Sequence, residues 1–105
     1  MNAQERAILD RLRAALDEAY GDRIERVVLF GSRARGDAKP DSDYDVAVFL
    51  KDHRSASEEN SRLAEITTHI MLETGAVINA IPLLEGSYVH RTLFMHEVRK
   101  DGVEL

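Results

Sequence analysis

The segment that most constrains the fold of this chain is the apolar run Val27-Val28-Leu29-Phe30, which no polar residue interrupts. A short run rich in branched apolar residues indicates a strand that is buried on both faces, because a strand with one wet face would alternate polar and apolar residues. A strand covered in this way needs other strands beside it and helices against the sheet. We therefore predict a strand over 24–30 within a small sheet with helices packed on it.

Apolar residues elsewhere recur at the spacing of helices and strands. These patterns predict helices over 2–20, 57–74 and 87–100, the last capped by Ser87, and strands over 44–50, 77–83 and 103–105. Residues 31–43 are predicted to form a loop with one helical turn, and 51–54 a polar connection. Pro82 indicates that its strand leaves the sheet there or lies near a sheet edge. The link between the first two strands permits either direction, so the prediction is an α+β domain with a mixed sheet.

Composition excludes several classes of protein. A length of 105 residues predicts a single domain over 1–105, and the lack of cysteine excludes disulfides and thiol catalysis. The net charge of −5 argues against binding to a nucleic-acid backbone, which needs an excess of basic residues. Residues 1–12 are too charged for a signal peptide, and no apolar run has the length of a membrane span. We expect a cytoplasmic protein that binds neither nucleic acid nor membranes.

The pair Gly31-Ser32 follows the buried strand directly. Glycine lets the backbone approach a phosphate group closely, and serine adds a hydroxyl beside the free N–H groups of a helix start. The pair therefore predicts an anion site for the tail of a nucleotide. A plain turn followed by a helix cap would use the same two residues, so the pair alone leaves both interpretations open.

Two carboxylates, Asp43 and Asp45, stand at the entrance to the next strand. Residues two apart in a strand point to one face, which lets both side chains reach the same cations. Mg²⁺ prefers oxygen ligands and shares them with substrate phosphates, and two such ions about 3.5–4 Å apart promote in-line displacement at phosphorus. Read alone, the acidic pair also fits a turn before a strand. Together with Gly31-Ser32 it predicts phosphoryl or nucleotidyl transfer with two Mg²⁺ ions.

The complete pattern is more specific. Gly31-Ser32, ten intervening residues and Asp43-Tyr44-Asp45 resemble the Gly-Ser-x10-Asp-x-Asp signature of the polymerase-β-like nucleotidyltransferase superfamily. The small size and the fuller pattern, Gly-Ser-x-Ala-x-Gly with Ser-Asp-x-Asp, are similar to the minimal nucleotidyltransferase (MNT) proteins of bacteria and archaea. The resemblance extends over residues 8–105 and implies the nucleotidyltransferase fold.

The resemblance also implies roles for individual residues. Gly31 and Ser32 would hold the β- and γ-phosphates of ATP, and the catalytic residues Asp43 and Asp45 would bind Mg²⁺. Arg35 is predicted to bind nucleotide through phosphate, with a solvated surface charge as the alternative. No role follows for Arg33.

One position departs from the family pattern. Active members carry a third carboxylate on the next strand, and the matching residue here is Asn79. Asparagine offers a carbonyl oxygen, but it brings no negative charge and cannot act as a base. Glu73 or Glu85 could supply the missing charge from a neighbouring segment, although each also fits an ordinary surface position.

The resemblance predicts transfer of AMP from ATP to a hydroxyl, a tyrosine of a partner protein, with this chain as antitoxin to a HEPN-domain toxin. The acidic charge fits a protein acceptor. One alternative is a domain disabled at Asn79 that binds nucleotide and neutralises its partner by contact. Another is transfer to a small molecule of the aminoglycoside type, which would need a dimer to hold the acceptor. A homo-oligomer is therefore left open.

Overall fold

The computed structural model describes residues 1–52 and 55–105. Its helices are α1 (Ala3–Tyr20), α2 (Ser32–Arg35), α3 (Ala56–Thr74) and α4 (Leu93–Asp101). Its strands are β1 (Ile24–Phe30), β2 (Tyr44–Leu50), β3 (Ile78–Leu84) and β4 (Val103–Glu104). The helical turn predicted within 31–43 is confirmed as α2. The second half of the connection predicted over 51–54 lies outside the described residues.

The strands form one sheet in the order β3-β2-β1-β4. Strand β1 is antiparallel to both of its neighbours, β2 and β4, whereas β2 and β3 are parallel. The predicted mixed sheet is confirmed, and the direction that the sequence left open is antiparallel. Pro82 lies in β3, which is an edge strand as predicted, and β4 is the short strand at the opposite edge.

Helices cover both faces of the sheet. Helices α1 and α3 share a core with one face of β1 and β2, and α4 packs on the other face. The largest side chains without solvent exposure are those of Phe49, Leu12, Leu16, Leu29, Leu50, Ile70, Val27, Val46 and Val48. Since Val27 and Val28 contribute to opposite cores, the prediction that β1 is buried on both faces is confirmed.

Helix α1 begins with a reciprocal cap. The Asn2 side chain accepts a hydrogen bond from the Glu5 amide at 2.8 Å, and the Asn2 amide donates to the Glu5 carboxylate at 3.0 Å. This arrangement satisfies two amides that the first turn of a helix leaves without partners. The helix ends at Tyr20, as predicted, and Gly21 follows with a positive φ of 53°.

The start of the last helix was predicted wrongly. Ser87 does not cap it: the Ser87 hydroxyl donates to the Leu84 carbonyl at 2.6 Å and opens a 3-10 turn over Ser87–Val89. Helix α4 begins at Leu93, where the Thr92 hydroxyl accepts a hydrogen bond from the Met95 amide at 3.0 Å. Both residues suit an N-cap, and the tertiary position of Ser87 at the end of β3 decides between them.

None of the described helices combines the length and apolar character needed to span a bilayer.

Candidate nucleotide and metal site

Gly31 joins the end of β1 to the start of α2 and lies directly against a carboxylate. Its φ is 75°, a conformation that L side chains rarely adopt, and a Cβ atom there would lie 2.5 Å from Oδ2 of Asp45. Both the backbone angle and the lack of space therefore require glycine. The contact brings the predicted phosphate turn against one of the predicted metal ligands.

The turn after Gly31 leaves backbone donors open. The amides of Ser32 and Arg33 have no hydrogen-bond acceptor within residues 1–52 and 55–105, whereas those of Ala34 and Arg35 donate to the Gly31 carbonyl at 3.1 Å. Successive free amides in a turn form a concave site suited to an anion. The backbone at 32–33 thus has open donors next to the position at which the sequence predicts phosphate binding.

Asp45 and Asn79 are neighbours across the sheet. They are partners in the parallel register of β2 and β3, and the Asn79 Nδ2 atom lies 3.4 Å from Oδ1 of Asp45, a long and weak hydrogen bond. Asp45 is half-buried and Asn79 is exposed. The residue at the third-carboxylate position therefore does lie beside Asp45, and it presents an amide to it.

Asp43 is exposed and immediately precedes the first residue of β2. Within the described residues neither Asp43 nor Asp45 has a basic nitrogen within 4 Å, so both carboxylates are available to a cation. The same residues contain no group of three acidic, histidine or cysteine side chains that could hold a metal alone. Two carboxylates beside open amides fit Mg²⁺ that takes its remaining ligands from a triphosphate and water.

The two alternative sources of a third carboxylate lie elsewhere. Glu73, on α3, forms an exposed ion pair with Arg11 at 3.1 Å, and this hydrogen bond lowers the pKa of Glu73. Glu85 follows the far end of β3, about 20 Å along the strand from Asn79 at the usual rise per residue. Asn79 is thus the residue that borders Asp45 on the β3 side.

The two arginines of the turn differ in their surroundings. Arg35 is exposed and forms an ion pair with Asp37 at 3.2 Å, which fits the alternative of a solvated charge. The Arg33 side chain is only 10% exposed and contacts Glu5, the Ser42 carbonyl and the ring of Tyr44. Sequence reasoning missed Arg33, because partners that distant along the chain are defined only by the fold.

A cleft of about 930 Å³ adjoins the turn. It lies between the first residues of α1, the segment 33–42 and residues 74–77, and it includes the side chains of Arg33 and Arg35. Asp43 and Asp45 do not line it, and Asp45 shares the sheet face of Ala47 and Phe49, on which α4 packs. The segment 33–42 thus borders the cleft, and the two carboxylates that follow it in the chain lie outside the cleft.

Comparison with known proteins identifies the family. Residues 9–90 match the nucleotidyltransferase domain. The chain belongs to this family. A candidate protein adenylyltransferase of Methanocaldococcus jannaschii is 30% identical over 98 residues, which are 93% of this chain and 95% of that protein. The resemblance to nucleotidyltransferases is confirmed, and the family is one of transferases.

Solved nucleotidyltransferases share the fold. A candidate nucleotidyltransferase from Sulfolobus solfataricus superposes with a TM-score of 0.68 at 22% identity, covering 96% of this chain and 80% of that chain. A complex of a tri-AMPylated Shewanella oneidensis HEPN toxin with its MNT antitoxin gives 0.55 at 18% identity, over 96% and 67%. The predicted nucleotidyltransferase fold is confirmed.

Proposed function

We propose that this nucleotidyltransferase transfers AMP from ATP to a tyrosine hydroxyl of a HEPN-domain toxin and so acts as its antitoxin. The Methanocaldococcus relative, a candidate protein adenylyltransferase, supports a protein acceptor, and it matches nearly the whole chain. The structural likeness to a complex of an AMPylated HEPN toxin with an MNT antitoxin supports the nature of the partner.

The observation that carries the proposal is the contact between Gly31 and Asp45. A Cβ at position 31 would collide with the Asp45 carboxylate, so the turn with the open amides lies against this carboxylate, which supports a single site for both. Anion donors and cation ligands at such close range suit a metal-bound triphosphate. Neither group alone would distinguish nucleotide chemistry from ordinary turn structure.

The residues divide the work of the transfer. The amides around Ser32 hold phosphate oxygens, and Asp43 and Asp45 hold Mg²⁺, which supplies charge neutralisation on the phosphates. The acceptor oxygen forms a bond to the α-phosphorus as the bond to the bridging oxygen breaks and pyrophosphate leaves. The hydroxyl proton leaves to solvent, and the Asn79 amide takes no part in its removal, since an amide cannot act as a base.

Label position tests the reaction. The protein is incubated with Mg²⁺, a candidate HEPN-domain partner protein, and ATP labelled at either the α- or the γ-phosphate. Transfer of AMP predicts that only the α-label appears on the HEPN protein, and that Tyr→Phe substitution in that protein removes it. Absence of α-label on the partner, with a wild-type protein shown by equilibrium dialysis to bind ATP, contradicts the proposal.

Two carboxylate variants provide the control. Asp43→Asn removes a proposed metal ligand and should abolish labelling, whereas Asp41→Asn removes an exposed carboxylate from the same loop and should leave labelling unchanged. Equal loss in both variants would indicate an effect of net charge rather than of the site.

Asn79 favours a second candidate function, an antitoxin that neutralises its partner by binding alone. The amide beside Asp45 brings no charge to the position of the third carboxylate. This function predicts that Asp43→Asn still protects cells from the toxin, and that Asn79→Asp creates transfer activity that the wild type lacks. Loss of protection in a folded Asp43→Asn variant would exclude it.

A further inference from the structure

Arg33 connects three separate parts of the chain through one nearly buried guanidinium. Its Nε and Nη2 atoms donate to the Ser42 carbonyl at 3.2 and 2.7 Å, and Nη2 also donates to the Pro40 carbonyl at 3.2 Å. Its Nη1 atom donates to Glu5 at 3.2 Å. Planar donors directed at several fixed acceptors are an arrangement that arginine forms and lysine cannot.

The Tyr44 ring and the Glu5 carboxylate complete this enclosure. The guanidinium carbon lies 4.4 Å from the centre of the Tyr44 ring, and burial raises the pKa of the Tyr44 phenol. The Asn2 amide lowers the pKa of Glu5, and Arg33 lowers it further, so Glu5 stays ionised as the counter-ion. Arg33 is thus neutralised within the fold, unlike a cation presented to phosphate.

Arg33 restrains Asp43 through the backbone. The Ser42 carbonyl and the Asp43 amide belong to one planar peptide group, so the hydrogen bonds that fix this carbonyl also fix the position of the Asp43 backbone nitrogen. On the other side of Asp43, the Tyr44 amide donates to the Val77 carbonyl at 2.9 Å. Asp43 therefore lies between two anchored positions, although its own side chain is exposed.

The loop has few other restraints on this side. The Lys39 amide donates to the Ser42 hydroxyl at 2.9 Å, and the Ser42 amide donates to the Lys39 carbonyl at 3.0 Å. These bonds close the turn upon itself and do not join it to α2 or α1. Among the described residues, Arg33 is the side chain that joins this turn to both helices.

We propose that Arg33 is a positioning residue for the metal site, which fixes Asp43 through the Ser42 carbonyl for cation binding. The inference rests on the proposed function in one respect, that Asp43 is a metal ligand. It assigns Arg33 no contact with phosphate. The role of Arg33 depends on geometry and not on charge. It therefore predicts that removal of the Arg33 charge lowers the affinity for the cation.

This change in cation affinity has the opposite sign to the change expected from charge repulsion alone. Removing a positive charge beside a cation site should strengthen cation binding, since like charges repel. If Arg33 instead positions a metal ligand, Arg33→Gln should weaken cation binding by about 10-fold. This is the lower end of the effect expected from residues that orient metal ligands. Arg33→Lys keeps the charge but cannot reproduce the paired contact with the Ser42 carbonyl, so it should weaken binding as well.

The test measures Mn²⁺ binding directly, by the electron paramagnetic resonance signal of free Mn²⁺, with and without ATP and below the melting temperature of every variant. Lys39→Gln is the matched control, because it removes the same charge from the same loop through an exposed side chain and should leave the affinity unchanged or slightly higher. Unchanged or tighter Mn²⁺ binding in folded Arg33→Gln and Arg33→Lys overturns the inference. If Arg33→Gln does not fold, Arg33→Lys alone decides the outcome.

The Asp43→Asn variant distinguishes failure of the proposed metal site from failure of the positioning role of Arg33. If this variant binds Mn²⁺ as the wild type does, Asp43 is not a ligand and the metal site of the proposed function fails. If Asp43→Asn loses Mn²⁺ while both Arg33 variants retain it, the site stands and only the positioning role fails.

Discussion

The carboxylates at the two ends of strands β1 and β2 differ in whether a basic side chain lies beside them. At the end formed by Ile24 and Leu50, Glu59 is 4% exposed and forms an ion pair with Arg23. At the other end, Asp45 is half-buried and has the amide of Asn79 as its neighbour at 3.4 Å. No described basic nitrogen lies within 4 Å of Asp45.

Under the proposed function, the difference distinguishes a carboxylate that serves stability from one that serves cation binding. Glu59 has its counter-ion within the fold, because a buried charge without one is costly. Asp45 has no cation beside it among the residues that the structure describes, and it packs against a glycine that leaves room for its oxygens. A site that must take up and release a cation cannot include a permanent one, and such sites sacrifice stability for function. Substitutions at the two ends should therefore separate activity from stability.

The largest expected effect is on activity at the Asp45 end. Asp45→Asn should lower the rate of AMP transfer by about 10³-fold, the upper range for loss of one electrostatic group in a transition state. The melting temperature should stay the same or rise, because no internal cation loses its partner. Transfer of α-labelled phosphate and thermal unfolding followed by circular dichroism measure the two quantities. A large drop in melting temperature would show that Asp45 contributes to stability and would contradict the proposed difference between the two ends.

The glycine that borders Asp45 provides the second test. Gly31→Ala places a methyl group 2.5 Å from the Asp45 carboxylate, and a displacement of this kind should reduce the transfer rate by about 10²-fold. Gly36→Ala is the matched control, because Gly36 has a φ of 87° and nothing within 4 Å of an added Cβ. Backbone strain should cost about 1–2 kcal/mol at Gly36, which is in the left-handed region, and up to about 3 kcal/mol at Gly31, whose ψ of −160° is open essentially to glycine alone; urea denaturation measures both losses. Equal activity in the two would show that the contact with Asp45 is irrelevant.

At the opposite end the expected effect is on stability. Glu59→Gln leaves Arg23 without its counter-ion, and we expect a loss of about 2 kcal/mol in the free energy of unfolding, because Arg23 retains some solvent contact. The transfer rate at temperatures where the variant is folded should equal that of the wild type. Urea denaturation and label transfer measure these quantities, and reduced transfer by the folded variant would contradict the separation of roles.

The smallest effect concerns Glu5, which is paired like Glu59 but supports the Asp43 end. Its folded-state pKa is lowered from 4.5 by the Asn2 amide first and by Arg33 in addition. A lowered pKa stabilises the fold above the unfolded pKa, and the contribution disappears as the pH falls through the folded pKa. Glu5→Gln should therefore cost about 0.5–1 kcal/mol at pH 7, and the difference from wild type should shrink as the pH falls below 4.5 and through the lowered folded-state pKa. Unfolding by urea at pH 7, 5 and 3.5 measures it, and a difference that does not decrease between pH 5 and pH 3.5 would exclude the ionised pair as its source.

Local patterns predicted most of the fold. The apolar run at Val27, the alternation along β2 and the helical spacing of α1 and α3 depend on neighbouring residues, and each produced the element expected from it. The prediction that Gly31 and the acidic pair form a site comes from the residue types that a phosphate turn and a metal ligand require, and it remains a prediction. The proximity of Gly31 to Asp45 followed from the family pattern and is a physical contact in the structure.

The features that the sequence could not predict depend on tertiary contacts. Ser87 and Thr92 are equally good caps by type, and only the position of Ser87 beside the end of β3 excludes it. Arg33 and Arg35 are two residues apart in the same turn, yet one is enclosed and the other is exposed. The partners of Arg33 come from α1 and from a distant turn, so no local pattern marks it.

The register between β2 and β3 has an evolutionary consequence. Asn79 occupies the place beside Asp45 from which a carboxylate could share a cation, and asparagine and aspartate codons differ by one base transition. A lineage of this protein could therefore gain or lose the third carboxylate in one mutational step, without rebuilding the sheet. Under the proposed function, transfer and neutralisation by contact would thus be separated by a single substitution.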